Sequence, residues 1–335
     1  MKKLLIFIII LVVGFLVLNS CSGAYLHKAA KEPFSGESLS KNFVVEIGEN
    51  VMQVANNLKD QGLIKNTSVF TRYAKKMKTD DKIRAGSYTL NTNMSVHDIL
   101  TILVSGAREE VWITIPEGWR IDQIVDYLRE KGLGAADDFE KRAKVKYFSS
   151  YSFLSNLSGN YTLEGYLFPD TYRIFADSSS DEIIEKMLGN FANKVTSNMM
   201  NQANKMGFSL HEFITLTSIV EKESAHSEDI RKIASVYHNR LKDEMLLQSD
   251  ATITYITGRP DARPSLDETK INSPYNTYIN LGLPPGPVGN PGLEAIEATL
   301  DPEETNYYFF VSRGDRAYFA TTYEEHIENI NRYLD

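Results

Sequence analysis

Lys2 and Lys3 precede an apolar run from Leu4 to Leu18, and no formally charged residue follows until Lys28. A charge-free stretch reaching Leu26 is long enough to cross a bilayer, which takes roughly 20 residues. Two lysines before the run and the whole body after it place the amino end in the cytoplasm and the rest of the chain outside it. The expected organisation is a transmembrane anchor at 1–26, a polar linker at 27–42 rich in Lys, Glu, Ser and Gly, and a body anchored to the inner (cell) membrane.

A second reading of the same segment is open. Leu18-Asn19-Ser20-Cys21 resembles a lipobox, in which the signal 1–20 is cleaved and Cys21 is acylated, although Asn19 fits that pattern poorly. Both readings tether the body to a membrane. Cys21 is the sole cysteine, so an internal disulfide and a cysteine-rich metal site are excluded. The net charge of −8, with no basic block, argues against nucleic acid as a partner. His211-Glu212-Phe213-Ile214-Thr215 approaches the H-E-x-x-H zinc signature but lacks the second histidine. No metal and no cofactor is therefore expected.

The body opens with an internal repeat. Phe43 to Ile47 leads to Val51, Val54, Leu58 and Gly62-Leu63, and Val111 to Ile115 leads to Ile121, Ile124, Leu128 and Gly132-Leu133. Each copy changes from strand-like β-branched residues to helical spacing and closes on a glycine suited to a helix end. Between them, Gly86 to Leu90 reads as a third strand and Ser95 as the cap of a further helix. The stretch 43–110 resembles a LysM-like sugar-binding module, though repetition serves structural economy equally well. The remainder, 111–335, reads as a catalytic domain of mixed α and β elements, so the expected class is α+β. Within it, Ser209 to Glu212 forms a capping box, residues 307–311 and 317–320 form a hairpin, and Thr322 to Glu325 caps the last helix.

The chemistry centres on Glu221-Lys222-Glu223-Ser224, at the end of an otherwise apolar helix. A solvated helix end explains such a triplet when it stands alone. Helical phasing at about 100° per residue puts Glu223 roughly 50° and Glu221 about 110° from the apolar centroid, so Glu223 is expected at the core edge and Glu221 farther out. A carboxyl against apolar surface keeps its proton to higher pH, as a general acid for glycoside cleavage requires.

Five further segments sharpen this reading: Arg231 to Leu241, Leu247-Gln248-Ser249-Asp250, Ser273 to Tyr278, Gly282 to Pro287, and Glu164-Gly165-Tyr166-Leu167-Phe168-Pro169-Asp170. Together with Ser218 to Ser224 they resemble the endolytic murein transglycosylase family, MltG or YceG-like, and the likeness runs from the anchor to the last helix. The resemblance implies a catalytic carboxyl at Glu223 and a Glu-Ser pair completed by Ser224. It implies cleavage between N-acetylmuramic acid and N-acetylglucosamine within nascent glycan strands, with a 1,6-anhydromuramyl product, and a terminase role beside penicillin-binding proteins or other glycan polymerases. Glu221, Ser224, Gln248, Asp250, Tyr275 and Asn276 are the expected substrate-binding residues. Turn capping explains Gln248 and Asp250 equally well, and loop packing explains Tyr275, Asn276 and Tyr278. The proline-rich stretch is no phosphate cradle, because Pro284, Pro285, Pro287 and Pro291 lack donor amides. It is expected to form a rigid wall ending at an Asn290 N-cap with Pro291 at the first helical position.

The alternative from another class is a non-catalytic, membrane-tethered peptidoglycan-binding scaffold. A serine acyl enzyme is disfavoured because Ser38-Leu39-Ser40-Lys41 lies in the linker and has no K-T-G partner. A Schiff-base role for Lys222 lacks a phosphate cup.

Overall fold

Burial alternates along Phe43, Val44 and Val45 as a half-buried strand requires, and the same holds for Tyr88, Thr89 and Leu90. These are β1 (Ser40–Val45) and β2 (Gly86–Asn91), antiparallel partners with Phe43 opposite Tyr88. The computed structural model describes residues 26, 28–106, 109–224, 229–259, 264–314 and 316–334. The apolar run and Cys21 lie outside them, and among the described residues no helix is long and apolar enough to cross a membrane. The chain divides into two units, Met1–Glu109 and Glu110–Asp335.

In the first unit, α1 (Val51–Asp60), α2 (Thr67–Lys76) and α3 (Val96–Ser105) cover the β1–β2 ribbon. Phe43, Leu58, Phe70, Leu90, Ile99 and Leu103 are fully buried at its centre. Ser95 caps α3 in a reciprocal box with Asp98, as its sequence requires. The stretch read as linker is partly built into this unit. Ser40 to Asn42 belong to β1, the Ser35 amide donates to the Thr92 carbonyl (2.9 Å), and Ala30 is buried. Alternating polar and small residues there satisfy strand pairing as readily as a solvated tether, which hid the distinction.

The second unit begins with β3 (Glu110–Thr114), paired antiparallel to β4 (Thr171–Phe175), and α4 (Ile121–Glu130). The repeat is realised at the helix ends. After α1 the Leu63 amide donates to the Leu58 carbonyl and Gly62 to Lys59; after α4 Leu133 donates to Leu128 and Gly132 to Arg129. Both are Schellman closures, with Gly62 at φ +65° and Gly132 at φ +70°. The short α5 (Phe139–Arg142) is followed by α6 (Ser180–Lys194) and α7 (Ser197–Lys205), then α8 (Leu210–Ser224), α9 (Ile230–Lys242), α10 (Asp250–Thr257) and α11 (Leu293–Leu300). The hairpin β5 (Phe309–Arg313) and β6 (Arg316–Ala320) leads into α12 (Tyr323–Tyr333), capped by Thr322 and Glu325. The result is a mixed α and β fold with three two-stranded sheets among the described residues.

One core gathers around β3, β4, α4 and α6, and another around α9 and α11. Helix α8 is shared by both: Phe213 and Ile214 belong to the first core, Leu216, Ile219 and Val220 to the second. It is therefore a central helix with no wet face over most of its length.

Candidate active site

A helix buried on all sides must satisfy its own polar side chains. On α8 the hydroxyls of Thr215, Thr217 and Ser218 donate back to the carbonyls of His211, Phe213 and Thr215, at 2.7 to 2.8 Å, and Ser218 Oγ accepts the Val288 amide. The capping box opens it as expected, Ser209 N donating to Glu212 Oε2 at 2.8 Å. Burial is continuous from Phe213 to Glu221, so the first of the two carboxylates is still inside and only Glu223 reaches the edge.

Glu223 Oε1 accepts the Ser249 hydroxyl at 2.6 Å and, at 3.4 Å, the Ala251 amide in the first turn of α10. Tyr237, buried on α9, also reaches it. Burial raises the Glu223 pKa above the ordinary carboxylate value, and the neighbouring Asp250 charge raises it further, while the Ser249, Ala251 and Tyr237 hydrogen bonds pull it down. The balance is upward, so the carboxyl holds its proton to higher pH than an ordinary carboxylate does.

Ser249 is placed by an unusual backbone. Gln248 has φ +47°, a left-handed conformation uncommon for a side chain of this size. It is held there because the Gln248 amide donates to the Thr277 carbonyl (3.1 Å) and the Ser249 amide to Thr277 Oγ1 (3.0 Å). Strain of this kind persists where surrounding bonds over-determine it, and it often marks a functional site. Asp250 accepts the hydroxyl of Tyr278. Glu223, Tyr237, Arg240, Gln248, Asp250 and Tyr278 share one cavity of about 470 Å³, closed by side chains of β5 and α12.

The structure thus brings together Glu223, Gln248 and Asp250 from the expected set. Glu221 departs from its helical phasing. It is only 9% exposed, and its Oε2 accepts the Gly292 amide at 2.9 Å, at the N-cap of α11. The phasing assumed a solvated face that α8 lacks, and the 289–292 loop covers the side on which Glu221 lies. Burial pushes the Glu221 pKa up to about 7, aided by the nearby Glu117 charge. Asn276 is fully buried and spent on its own loop, donating to Thr269 and Ile271 carbonyls and accepting the Tyr278 amide. Tyr275 packs on Tyr255, ring centroids 4.9 Å apart. The Ser224 side chain falls outside the described ones. Sequence reasoning did not single out Tyr237, Arg240 or Ser249, although each stands in a quoted motif; buried Tyr and Arg on a helix look like core and surface until a carboxylate is known to face them.

A further buried carboxyl lies elsewhere in this unit. Glu164 accepts the Ile121 amide (3.2 Å) at the first turn of α4 and Asn290 Nδ2 (3.0 Å). Asn290 does not cap a helix: its Oδ1 takes the Gly165 and Leu167 amides, both at 2.9 Å, and its Nδ2 also donates to the Trp119 carbonyl. Helix α11 starts two residues later than expected, at Leu293 after Gly292, because Asn290 is consumed in tying three segments together. Burial raises Glu164 to about 8.

A sequence model of the YceG-like family matches residues 43–332. The chain belongs to the YceG-like family. The endolytic murein transglycosylase of Bacillus subtilis (strain 168) is 33% identical over 327 residues, spanning 93% of this chain and 90% of the relative. That of Streptococcus pneumoniae serotype 2 (strain D39) is 33% identical over 354 residues, 96% of this chain; this YceG-like chain accounts for 64% of the pneumococcal length. The crystal structure of a yceG-like protein from Listeria monocytogenes, 32% identical, superposes with a TM-score of 0.59 over 87% of this chain and 99% of its own.

Proposed function

We propose that this chain is an endolytic lytic transglycosylase of peptidoglycan with Glu223 as its acid and base. The observation that carries the reading is a carboxyl whose pKa burial raises, set at a cavity large enough for a sugar, in a chain whose relatives are named endolytic murein transglycosylases. Glu223 gives its proton to the oxygen joining N-acetylmuramic acid to N-acetylglucosamine as the bond from the anomeric carbon breaks. The muramyl O6 attacks that carbon, and Glu223 takes the O6 proton back. The products are a 1,6-anhydromuramyl end and a free N-acetylglucosamine 4-hydroxyl, and no water is consumed. Asp250 is too near to be indifferent: its negative charge raises the Glu223 pKa before the step and stabilises the positive charge that builds at the anomeric carbon during it.

The apolar run Leu4 to Leu18 anchors the body outside the cytoplasm in this proposal, with acylation of Cys21 as the variant that mass spectrometry of the N-terminal peptide distinguishes. The paired strands and helices of the first unit support a LysM-like glycan-holding role. Glycan polymerases are the fitting partners for a terminase of nascent strands.

The test is digestion of uncrosslinked glycan strands by the full chain in detergent, beside Glu223→Gln, with products read by mass spectrometry. Internal fragments with anhydromuramyl ends from the wild type only are the expected result, with Glu221→Gln retaining activity. Reducing ends instead mean hydrolysis by water, and binding without cleavage means a scaffold.

A further inference from the structure

The hairpin and α12 that close the Glu223 cavity carry polar atoms the fold leaves unused. Ser312 Oγ on β5 and His326 Nδ1 on α12 are buried, and among the described residues neither has a hydrogen-bond partner. Both residues line the cavity. Polar atoms taken out of water without partners are destabilising and rare, so two on one cavity wall call for a reason outside the apo fold. Arg240 on the same cavity spends its hydrogen bonds on main-chain carbonyls, Tyr308 at 2.6 Å and Leu247 at 2.8 Å. The His326 ring lies over Phe309, centroids 5.3 Å apart and planes 26° from parallel.

We infer that this wall is a sugar subsite, in which His326 and Ser312 bind the acetamido and hydroxyl groups of an amino sugar beside the scissile bond. The inference rests on the reading of Glu223 as a glycan-cleaving acid and names what holds the substrate against it. An aromatic surface with a few convergent hydrogen-bonding groups is the usual construction of a site for a ligand with both apolar and polar faces. Burial and the Arg240 charge hold the His326 pKa below its ordinary value, so the ring is neutral and carries one proton. Nδ1 is the buried nitrogen without a partner, so it meets the acetamido group itself, donating to the oxygen when it carries the proton and accepting the N–H when Nε2 carries it. Rotation about a single side-chain bond turns Ser312 Oγ toward a ligand hydroxyl.

Three variants of the full chain separate a substrate-binding role from a structural one: His326→Phe, His326→Gln and Ser312→Ala. Phe keeps the ring on Phe309 and removes both nitrogens, whereas Gln keeps an amide donor. His326→Phe is expected to raise KM for glycan strands about tenfold with kcat little changed, as loss of one substrate hydrogen bond does. In a Glu223→Gln background it should weaken glycan binding, measured by calorimetry, by the same factor. Its Tm should stay level or rise, because an unmet polar atom is gone, and His326→Gln should recover most of the lost affinity. Ser312→Ala should follow the same pattern more weakly. If wild type cleaves strands and His326→Phe matches it in KM and affinity, or loses Tm and activity together, the subsite is overturned while the role of Glu223 stands. A wild type that neither cuts nor binds strands overturns both.

Discussion

Glu164 offers a test of the buried polar network by stability alone. Its pKa rises from 4.5 to about 8 because burial penalises the charged form. Between those pH values the folded chain retains a proton that the unfolded chain has released, so the contribution of Glu164 is full below pH 4.5 and is lost as pH rises toward 8. At about 1.4 kcal/mol per pH unit, wild type forfeits about 3 kcal/mol between pH 5 and pH 8 from this residue. Glu164→Gln removes the titration and keeps the packing, since a single amide oxygen can accept both Ile121 N and Asn290 Nδ2, as Glu164 Oε1 does. The assay is denaturant unfolding across that range, followed by tryptophan fluorescence. Both tryptophans, Trp112 and Trp119, lie in the second unit, so the signal reports on the unit that contains Glu164. The variant's advantage over wild type should widen by about 3 kcal/mol from pH 5 to pH 8. Parallel stability curves would refute the reasoning, because they would mean that Glu164 is ionised in the folded chain at neutral pH.

The other expectations concern the catalytic carboxyl and the packing around it. Ser249→Ala removes a hydrogen bond that favours ionised Glu223, so the alkaline limb of the activity profile should move to higher pH; Asp250→Asn removes a charge that favours protonation, so the limb should move to lower pH. Rate profiles against pH for the two variants check this, and shifts of the same sign would contradict the assignment of Glu223 as the acid. Gly165→Ala should cost roughly 3 kcal/mol in denaturant unfolding, since Gly165 has φ +86° and a Cβ there would sit 2.4 Å from Pro287 Cγ and 2.8 Å from Ile214 Cγ2.

Local signals were legible in the sequence wherever one segment settles its own structure. The two strand-helix copies, the boxes at Ser95, Ser209 and Thr322, and the C-terminal hairpin follow from side-chain spacing and caps, and they appear at those places. What was not legible depends on distant partners. Asn290 looked like an N-cap beside a proline, and nothing local could reveal that Gly165, Leu167, Trp119 and Glu164 converge on it across more than 120 residues. The pairing of β3 with β4, more than 50 residues away, was hidden for the same reason.

The Glu-Lys-Glu triplet shows how far periodicity reaches. Phasing from apolar positions presumes that a helix has one dry and one wet side, and α8 is buried between two cores, so the rule lost its reference direction. Both carboxyls are desolvated and both have raised pKa values, so perturbation alone does not tell them apart. Their neighbours do. Glu221 is held by the Gly292 amide beneath a covering loop, where a glycosidic oxygen has no room to approach. Glu223 lies at the cavity, its partners the Ser249 and Tyr237 hydroxyls and a weak amide contact at 3.4 Å, which a substrate oxygen can displace or share. A proton donor needs a proton to give and a route for the acceptor, and only Glu223 of the two has both.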